Sequence, residues 1–386
     1  MRLNLVCLFY LLSFHGAAQD VKITHGPYLQ KVGEHEATVV WTTDNHAISW
    51  VELAPAGDDS FYAKERPQYY QTHDGNRIVG KLHKVTIPGL ERGTEYRYRI
   101  FSRAVMADQL LYGHTAASKV YGKKPLRFTT LDSRKPEISF TVLNDIHGKI
   151  DNLKALTGNV KTGNTDLMIF NGDMVNHMND EQQFFSAFMD ESVNLFASEV
   201  PVFYARGNHE TRGLFNWYFS DYFPSYSGRP YYAFRQGPVY FIVLDSGEDK
   251  PDSDIEYYGL AQFDAYRTEQ RQWLKDELQS ESFRSAPYRV VIIHIPPVGS
   301  DWHGTVEVRK KFLPLLNRAG ITVMFCGHTH SYQYVEPDAE LHDFPILINA
   351  NDTSLEVKAT RTEMAVKRKD TAGRELNGFT YYPATQ

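Results

Sequence analysis

The sequence predicts two domains in series, an all-β sandwich and then an α/β domain in which a sandwich of β-sheets is flanked by helices. Three observations carry this reading. Up to about residue 133, short segments alternate apolar and polar residues, are broken by turn residues and show little helical period. Beyond that point, apolar runs alternate with segments whose apolar residues recur at three-to-four spacing. Several of those apolar runs stop abruptly in Asp, Asn or His.

Composition permits both domains. With 386 residues, 42% of them apolar and 13% aromatic, the chain can bury more than one core. Residues 1–19 join an early Arg2 to an apolar run, Leu3 to Phe14, and a small-residue stop at Gly16-Ala17-Ala18, the pattern of a signal peptide. The run is shorter than the ~20 residues a helical span needs, so no membrane span is expected and the chain should be secreted or periplasmic. Cleavage would remove Arg2 and no acid, moving the formal charge from -6 to -7. No basic block tracks along the sequence, so binding to a nucleic-acid backbone is not expected. Cys7 lies in the signal, which leaves Cys326 alone; packing, not a disulfide, must hold both cores.

In the first domain, placed at residues 20–133, Ala37 to Thr43, Lys84 to Ile87 and Tyr96 to Ile100 read as strands. Leu90-Glu91-Arg92-Gly93-Thr94-Glu95-Tyr96-Arg97-Tyr98 resembles the corner and following strand of fibronectin type III-like domains, with Trp41 as a core aromatic. Gly26-Pro27-Tyr28-Leu29-Gln30 is similar to the opening of the N-terminal domain of purple acid phosphatases. Leu131 to Pro136 reads as a linker. Spacer and substrate lid both remain open as roles for this domain.

In the second domain, residues 134–386, helices are predicted at Asp180–Ser198, Thr268–Ser280 and Val306–Ala319. The strands carry more information. Ile138–Leu143 ends at Asp145 and His147, Asp166–Phe170 at Gly172-Asp173, and Val202–Ala205 at Gly207-Asn208-His209. Arg289–Ile293 ends at His294, and Ile321–Cys326 at His328 and His330. In open α/β sheets ligands bind outside the carboxyl ends of the strands, so residues far apart in sequence can converge there. Asp and Asn offer oxygen and His offers nitrogen, a mixture suited to borderline divalent metals rather than to thiolate-seeking ones. In D-x-H and H-x-H the two side chains share one face of an extended segment, so each pair can grip an ion. Gly172, Gly207 and Gly327 allow a sharp turn or a close backbone approach.

Asn144-Asp145-Ile146-His147, Gly172-Asp173, Gly207-Asn208-His209-Glu210, His294 and Gly327-His328-Thr329-His330, in that order, resemble the five-part signature of calcineurin-like metallophosphoesterases over residues 137 to about 335. The resemblance implies that Asp145, His147 and His330 hold one divalent metal, that Asn208, His294 and His328 hold a second, and that Asp173 bridges them. Manganese, iron and zinc are the candidate ions. Two ions ~3.5 to 4 Å apart can bind phosphoryl oxygens and supply a bridging hydroxide for in-line attack. The resemblance also gives His209 the part of assisting the leaving group, and Asp145 a second role through its other carboxylate oxygen. Glu210 could orient the imidazole or stand at the surface.

The implied function is a secreted phosphatase acting on a small phosphorylated substrate, a monoester. A phosphodiesterase using the same site on nucleotide, lipid or cell-wall diesters is the alternative, and a non-enzymatic surface binding protein the remote one. Arg206, His177 and His303 are candidate substrate contacts around the site. Purple acid phosphatases have a Tyr three residues after the bridging aspartate where this chain has Asn176, and a Gly where it has His147, so a ferric-tyrosinate centre should be absent. Near the end, Phe344–Asn349 and Ser354–Val357 read as strands, and Lys367-Arg368-Lys369-Asp370 as a solvated turn.

Overall fold

The computed structural model describes residues 21–105, 115–117, 124–158, 160 and 164–383; residues 1–19, where a signal peptide is expected, lie outside them. The first domain is built on one long strand, Glu36–Pro55. Its first part pairs with Ile23–Gln30 and Val79–Pro88, and its second with Glu95–Val105. The register breaks between Thr42 and Ala47, where the strand leaves one set of partners for the other. Strict alternation then sends Val39, Trp41, Val51 and Leu53 into one core with Val85, Ile87, Tyr98, Ile100 and Phe128. Trp41 is fully buried, and its indole N–H donates to Ser102 Oγ at 2.9 Å, which removes the cost of burying that polar atom.

The second domain stacks two six-stranded sheets. One carries Val202–Ala205, Leu167–Asn171, Ile138–Leu143, Thr353–Ala359, Met364–Asp370 and Glu375–Tyr381 in spatial order. The other carries Tyr232–Gln236, Val239–Val243, Tyr288–Ile292, Val323–Cys326, Ile346–Ile348 and Gln333–Val335. Strands buried on both faces read as continuous apolar runs, and the period of two divides each run between cores. Leu167 and Ile169 turn inward to Phe140, Phe203, Phe241, Val290 and Phe325 between the sheets. Met168 and Phe170 turn outward beneath the helical stretch that holds Phe184, Phe185 and Phe188. Val291, Met324 and Ile346 face the other helical layer, with Leu274, Val308 and Phe312. Each such side chain contributes about 1.5–3 kcal/mol by leaving water. The ligand-ended strands of each sheet run parallel, so all five present their carboxyl ends at one rim.

Several expectations shift. The helix expected at Asp180–Ser198 is present as alternating α and π turns over Glu181–Ala197, with Asp180 Oδ1 accepting from Gln183 N at 2.7 Å as its cap. The helix expected at Thr268 starts at Phe263 and ends at Glu277. Its first amides, Phe263 N and Asp264 N, donate to the Asp252 carboxylate at 2.8 and 3.1 Å, a cap supplied from outside the local pattern. The third runs His303–Leu316 rather than Val306–Ala319. Lys367 to Asp370 is not a turn but half of the strand Met364–Asp370, where Lys367 and Lys369 meet Glu375 and Glu356 across the sheet at 2.9 and 2.5 Å. The Leu131–Pro136 connection is tied down: Asp132 N donates to Gln236 Oε1 and Ser133 N to Glu34 Oε1, both at 2.7 Å.

The two domains share a packed interface. Tyr28 is wholly buried in the second domain's outer core and donates to Tyr222 O at 2.9 Å. Gln30 Nε2 donates to Val202 O at 3.1 Å, and His25 stacks on Phe185 with ring centres 4.0 Å apart. The Gly26–Gln30 stretch is therefore a docking strand. Its bond to Val202 lies at the amino end of the Val202–Ala205 strand, away from the ligand end. Among the described residues no helix is long and apolar enough to cross a membrane.

Candidate metal centre

The backbone at the strand ends is unusual. Asp145, His147, Asp173, His328 and His330 have φ of 54°, 49°, 55°, 71° and 58°, the left-handed region that non-glycine residues avoid at a cost of about 1–2 kcal/mol each. Cross-loop bonds hold them there: Asp145 N donates to Gly172 O at 2.9 Å, and His147 N to Asp173 O at 3.0 Å. Two glycines make room. A Cβ on Gly207 would stand 2.3 Å from Asp173 Oδ1, and one on Gly172 would stand 2.4 Å from His294 Nδ1. Gly207→Ala is thus expected to push the Asp173 carboxylate aside and to lower both metal content and activity at least tenfold in a chain that still folds; metal analysis with circular dichroism checks it, and a fully loaded, fully active variant would contradict it.

The side chains converge. Asp145 Oδ1 lies 3.2 Å from His330 Nε2, 3.7 Å from His147 Nε2 and 3.9 Å from His294 Nε2. Asp173 Oδ2 lies 3.0 Å from His294 Nε2, 3.8 Å from His209 Nε2 and 4.0 Å from His147 Nε2. His328 Nδ1 is 3.1 Å from Asn208 Oδ1. The donor atoms of Asp145, His147 and His330, of His147, Asp173 and His209, and of Asp173, His294 and His328 form three groups, each within 4.8 Å, and each could hold an ion. Asp173 and His147 each belong to two of the groups.

Two atoms test whether a metal fits. Asp145 Oδ1 and His294 Nε2 are buried without an aligned hydrogen-bond partner, which a folded core ordinarily does not tolerate. Their neighbours aim them at this space. Asp145 Oδ2 accepts from Asn144 Nδ2 and His328 N at 2.7 and 2.9 Å, which leaves Oδ1 to the site. His294 Nδ1 donates to Asn171 O at 2.7 Å, which leaves Nε2 as a lone pair. An oxygen and nitrogen donor set with its partners fixed behind it suits divalent ions. Asp145's second oxygen, expected to have a further role, is bonded to the scaffold through Asn144 and His328.

A calcineurin-like phosphoesterase family model matches residues 138–332. The chain belongs to that family. As a calcineurin-like phosphoesterase it is a metal-dependent phosphoric ester hydrolase. The model of the purple acid phosphatase N-terminal domain matches residues 26–121. Purple acid phosphatase 1 of Ipomoea batatas is 24% identical over 85% of this chain and 67% of its own length. Purple acid phosphatase 18 of Arabidopsis thaliana is 23% identical over 83% and 68%. The Fe(3+)-Zn(2+) purple acid phosphatase 12 of Arabidopsis thaliana is 24% identical over 79% and 63%. This phosphoesterase therefore spans about two thirds of the length of those relatives.

Electrostatics follow from burial and pairing. Burial pushes the Asp145 carboxyl up, but His294 and the bonds from His147 and His330 outweigh it and hold the group well below the usual carboxylate range. Burial likewise opposes ionisation of Asp173, and His294 again brings it down. Burial and the neighbouring His294 pull the His328 imidazole to about 4, so it is a ready neutral donor.

The remaining candidates separate. His177 stands at the exposed rim, its ring 6.2 Å from that of His209. Arg206 is turned to Asp245, with Nη2 and Nε at 2.7 and 2.8 Å from Oδ2, and closes its strand by a salt bridge. His303 Nε2 lies 2.9 Å from Asp264 Oδ1, on the helix side. Glu210 neither orients the His209 imidazole nor reaches the surface. It is fully buried and accepts from Asp173 N, Gly207 N, Met174 N and Tyr204 OH at 2.7–2.9 Å, clamping the two glycine loops together. Asn176, at the position of the missing tyrosine, has Oδ1 3.1 Å from His147 Nδ1 and its carbonyl 2.7 Å from His209 Nδ1. Arg212, just beyond the G-N-H-E motif, stands 3.1 Å from His209 Nε2. It directly follows the 3₁₀ turn His209–Thr211 as its extended cap, which brings the guanidinium back against the first residue of the turn.

Proposed function

We propose that this chain is a secreted dinuclear phosphatase that hydrolyses phosphate monoesters. One observation supports it above the rest: two buried metal-donor atoms, Asp145 Oδ1 and His294 Nε2, have no aligned hydrogen bond and are ringed only by other candidate ligands, His294 Nε2 standing 3.0 Å from the shared carboxylate Asp173 and Asp145 Oδ1 3.2 Å from His330. In this reading Asp145, His147 and His330 take one ion, Asn208, His294 and His328 the other, and Asp173 joins them. The ions supply Lewis acidity toward the phosphoryl oxygens and a more acidic water at neutral pH. The chain's own residues do the rest. Asn144 and Asn171 fix the faces of Asp145 and His294, and Glu210 sets the loop that carries Asp173. His209, with Nδ1 fixed on the Asn176 carbonyl, presents Nε2 3.8 Å from Asp173 Oδ2, where it assists the departing ester oxygen.

Domain limits of 20–133 and 134–386, and removal of residues 1–19 as a signal, are part of the same proposal. Iron, zinc and manganese remain the candidate ions, and the Fe(3+)-Zn(2+) relative favours iron with zinc. Asn176 cannot supply a phenolate, so no purple colour is expected. A second reading, a phosphodiesterase, is favoured by large apolar side chains on the loops that leave the ligand strands: Trp217 and Trp302 are 68% and 58% exposed. Hydrolysis of nitrophenyl phosphate beside bis-nitrophenyl phosphate, with each metal in turn, decides between them. A strong monoester preference supports the proposal, and a diester preference supports the second reading.

Metal uptake should depend on pH. Burial pulls the His294 imidazole down, but Asp173 and Asp145 outweigh it and push it up to about 10 in the metal-free chain. The raised group stabilises the metal-free fold fully below its unfolded value of about 6.5, and that contribution is lost as pH rises through about 10. A metal must displace this proton, so affinity should rise about tenfold per pH unit between about pH 7 and 9. Calorimetric titration with zinc across that range checks it, and a flat affinity would contradict it.

A further inference from the structure

We propose that Arg212 is a phosphate-binding cation of this site and the residue that sets its preference for monoesters, an inference that rests on the phosphatase reading above. Its Nη1 stands 3.1 Å from His209 Nε2, and that nitrogen stands 3.8 Å from Asp173 Oδ2. A guanidinium can only donate and a carbonyl can only accept. With no substrate bound, His209 therefore takes the Arg212 N–H at Nε2 and gives its own Nδ1–H to Asn176 O at 2.7 Å; once a phosphate draws Nη1 away, Nε2 is free to carry the proton that the leaving oxygen takes. This orders a cation beside the imidazole with no substrate bound.

The opposite edge of the guanidinium is held rigidly. Glu248 Oε1 takes Nε and Oε2 takes Nη2, each at 2.9 Å, in a fork-to-fork pair. Glu248 is itself buried and fixed by Thr211 Oγ1 at 2.8 Å and Tyr257 OH at 3.1 Å. Asp249 Oδ1 is a weaker partner of Nη2 at 3.5 Å. Nη1 is thus the donor atom turned to the site, and its position is set before substrate arrives. Arg206, the other arginine of this motif, is already bound to Asp245.

A monoester brings a dianionic phosphoryl group with one more unesterified oxygen than a diester. A fixed N–H cation beside the metal donors gains more from that extra charge and acceptor. The carboxylates of Glu248 and Asp249 moderate the gain but do not remove it, because they lie on the far edge of the guanidinium.

The test compares wild type, R212Q, R212K and E248Q on nitrophenyl phosphate and its bis-nitrophenyl diester, with metal content measured on each. For R212Q, kcat/KM on the monoester should fall about 10- to 100-fold and on the diester by no more than about threefold, with metal retained. R212K should recover part of the monoester loss, and E248Q should show the same pattern in smaller degree. Equal losses on both esters, no loss on either, or loss of metal together with activity would overturn the assignment. A wild-type chain that hydrolyses neither ester would instead overturn the phosphatase reading itself.

Discussion

Asp173→Asn is expected to lower kcat/KM for a nitrophenyl ester by at least about 10³ and to reduce metal content at the same time. Asp173 is the carboxylate common to two donor groups, and its Oδ2 lies within 4.0 Å of His147, His209 and His294. Asparagine keeps one oxygen and the side-chain shape but removes the charge that offsets two cations. A two-metal centre supplies several kcal/mol of charge stabilisation, and each 1.36 kcal/mol is tenfold in rate, so losing ~4 kcal/mol gives the stated factor. The fold should survive, because the bonds from Asp173's backbone to Glu210 and His147 do not depend on its charge. A variant with wild-type metal content and activity would remove Asp173 from the centre.

Glu210→Ala is expected to cost stability first and activity in consequence. The carboxylate is wholly buried, and its oxygens satisfy the amides of Asp173, Met174 and Gly207 and the Tyr204 hydroxyl. Burial and the nearby Asp173 push its own pKa up, against the Tyr204 hydroxyl, the backbone amides and the neighbouring His294 that favour the carboxylate. Alanine strands several buried donors at once, each at about 1–3 kcal/mol with partial relief by water, and about 3–5 kcal/mol in total is expected. Chemical denaturation should show a lower midpoint with an unchanged slope. A midpoint within error of wild type would show that the two glycine loops do not need the clamp.

The strand ends were legible in the sequence because chemistry and periodicity coincide there. An apolar run that stops in Asp-x-His or His-x-His has no reason to do so unless the polar pair is used. The five left-handed residues could not be read, since Asp145 or His328 in a loop carries no local sign of φ > 0; cross-loop bonds impose it. The hairpin Tyr232–Gln236 and Val239–Val243 ends in no ligand and escaped a search for ligand-ended strands, although Gly237-Pro238 marks its turn. Lys367 to Asp370 looked like a turn because the strand is solvated on one face and meets its acids only across the sheet. The place of Glu210 is not legible in the sequence because its partners are backbone amides and the Tyr204 hydroxyl, which a sequence does not display. Arg212 could have been found, three residues after His209 in G-N-H-E-T-R. Arg206 and His303 could not have been set aside, because Asp245 and Asp264, which engage them, lie 39 positions away in each case.

The dinuclear centre is tested most directly by counting metal in the purified chain by inductively coupled plasma mass spectrometry. Ester hydrolysis would be followed in parallel as metal is returned to chelator-treated protein. Two equivalents per chain, with activity appearing mainly as the second is bound, is the predicted result. Full activity at one equivalent, or activity that chelation does not touch, would contradict it.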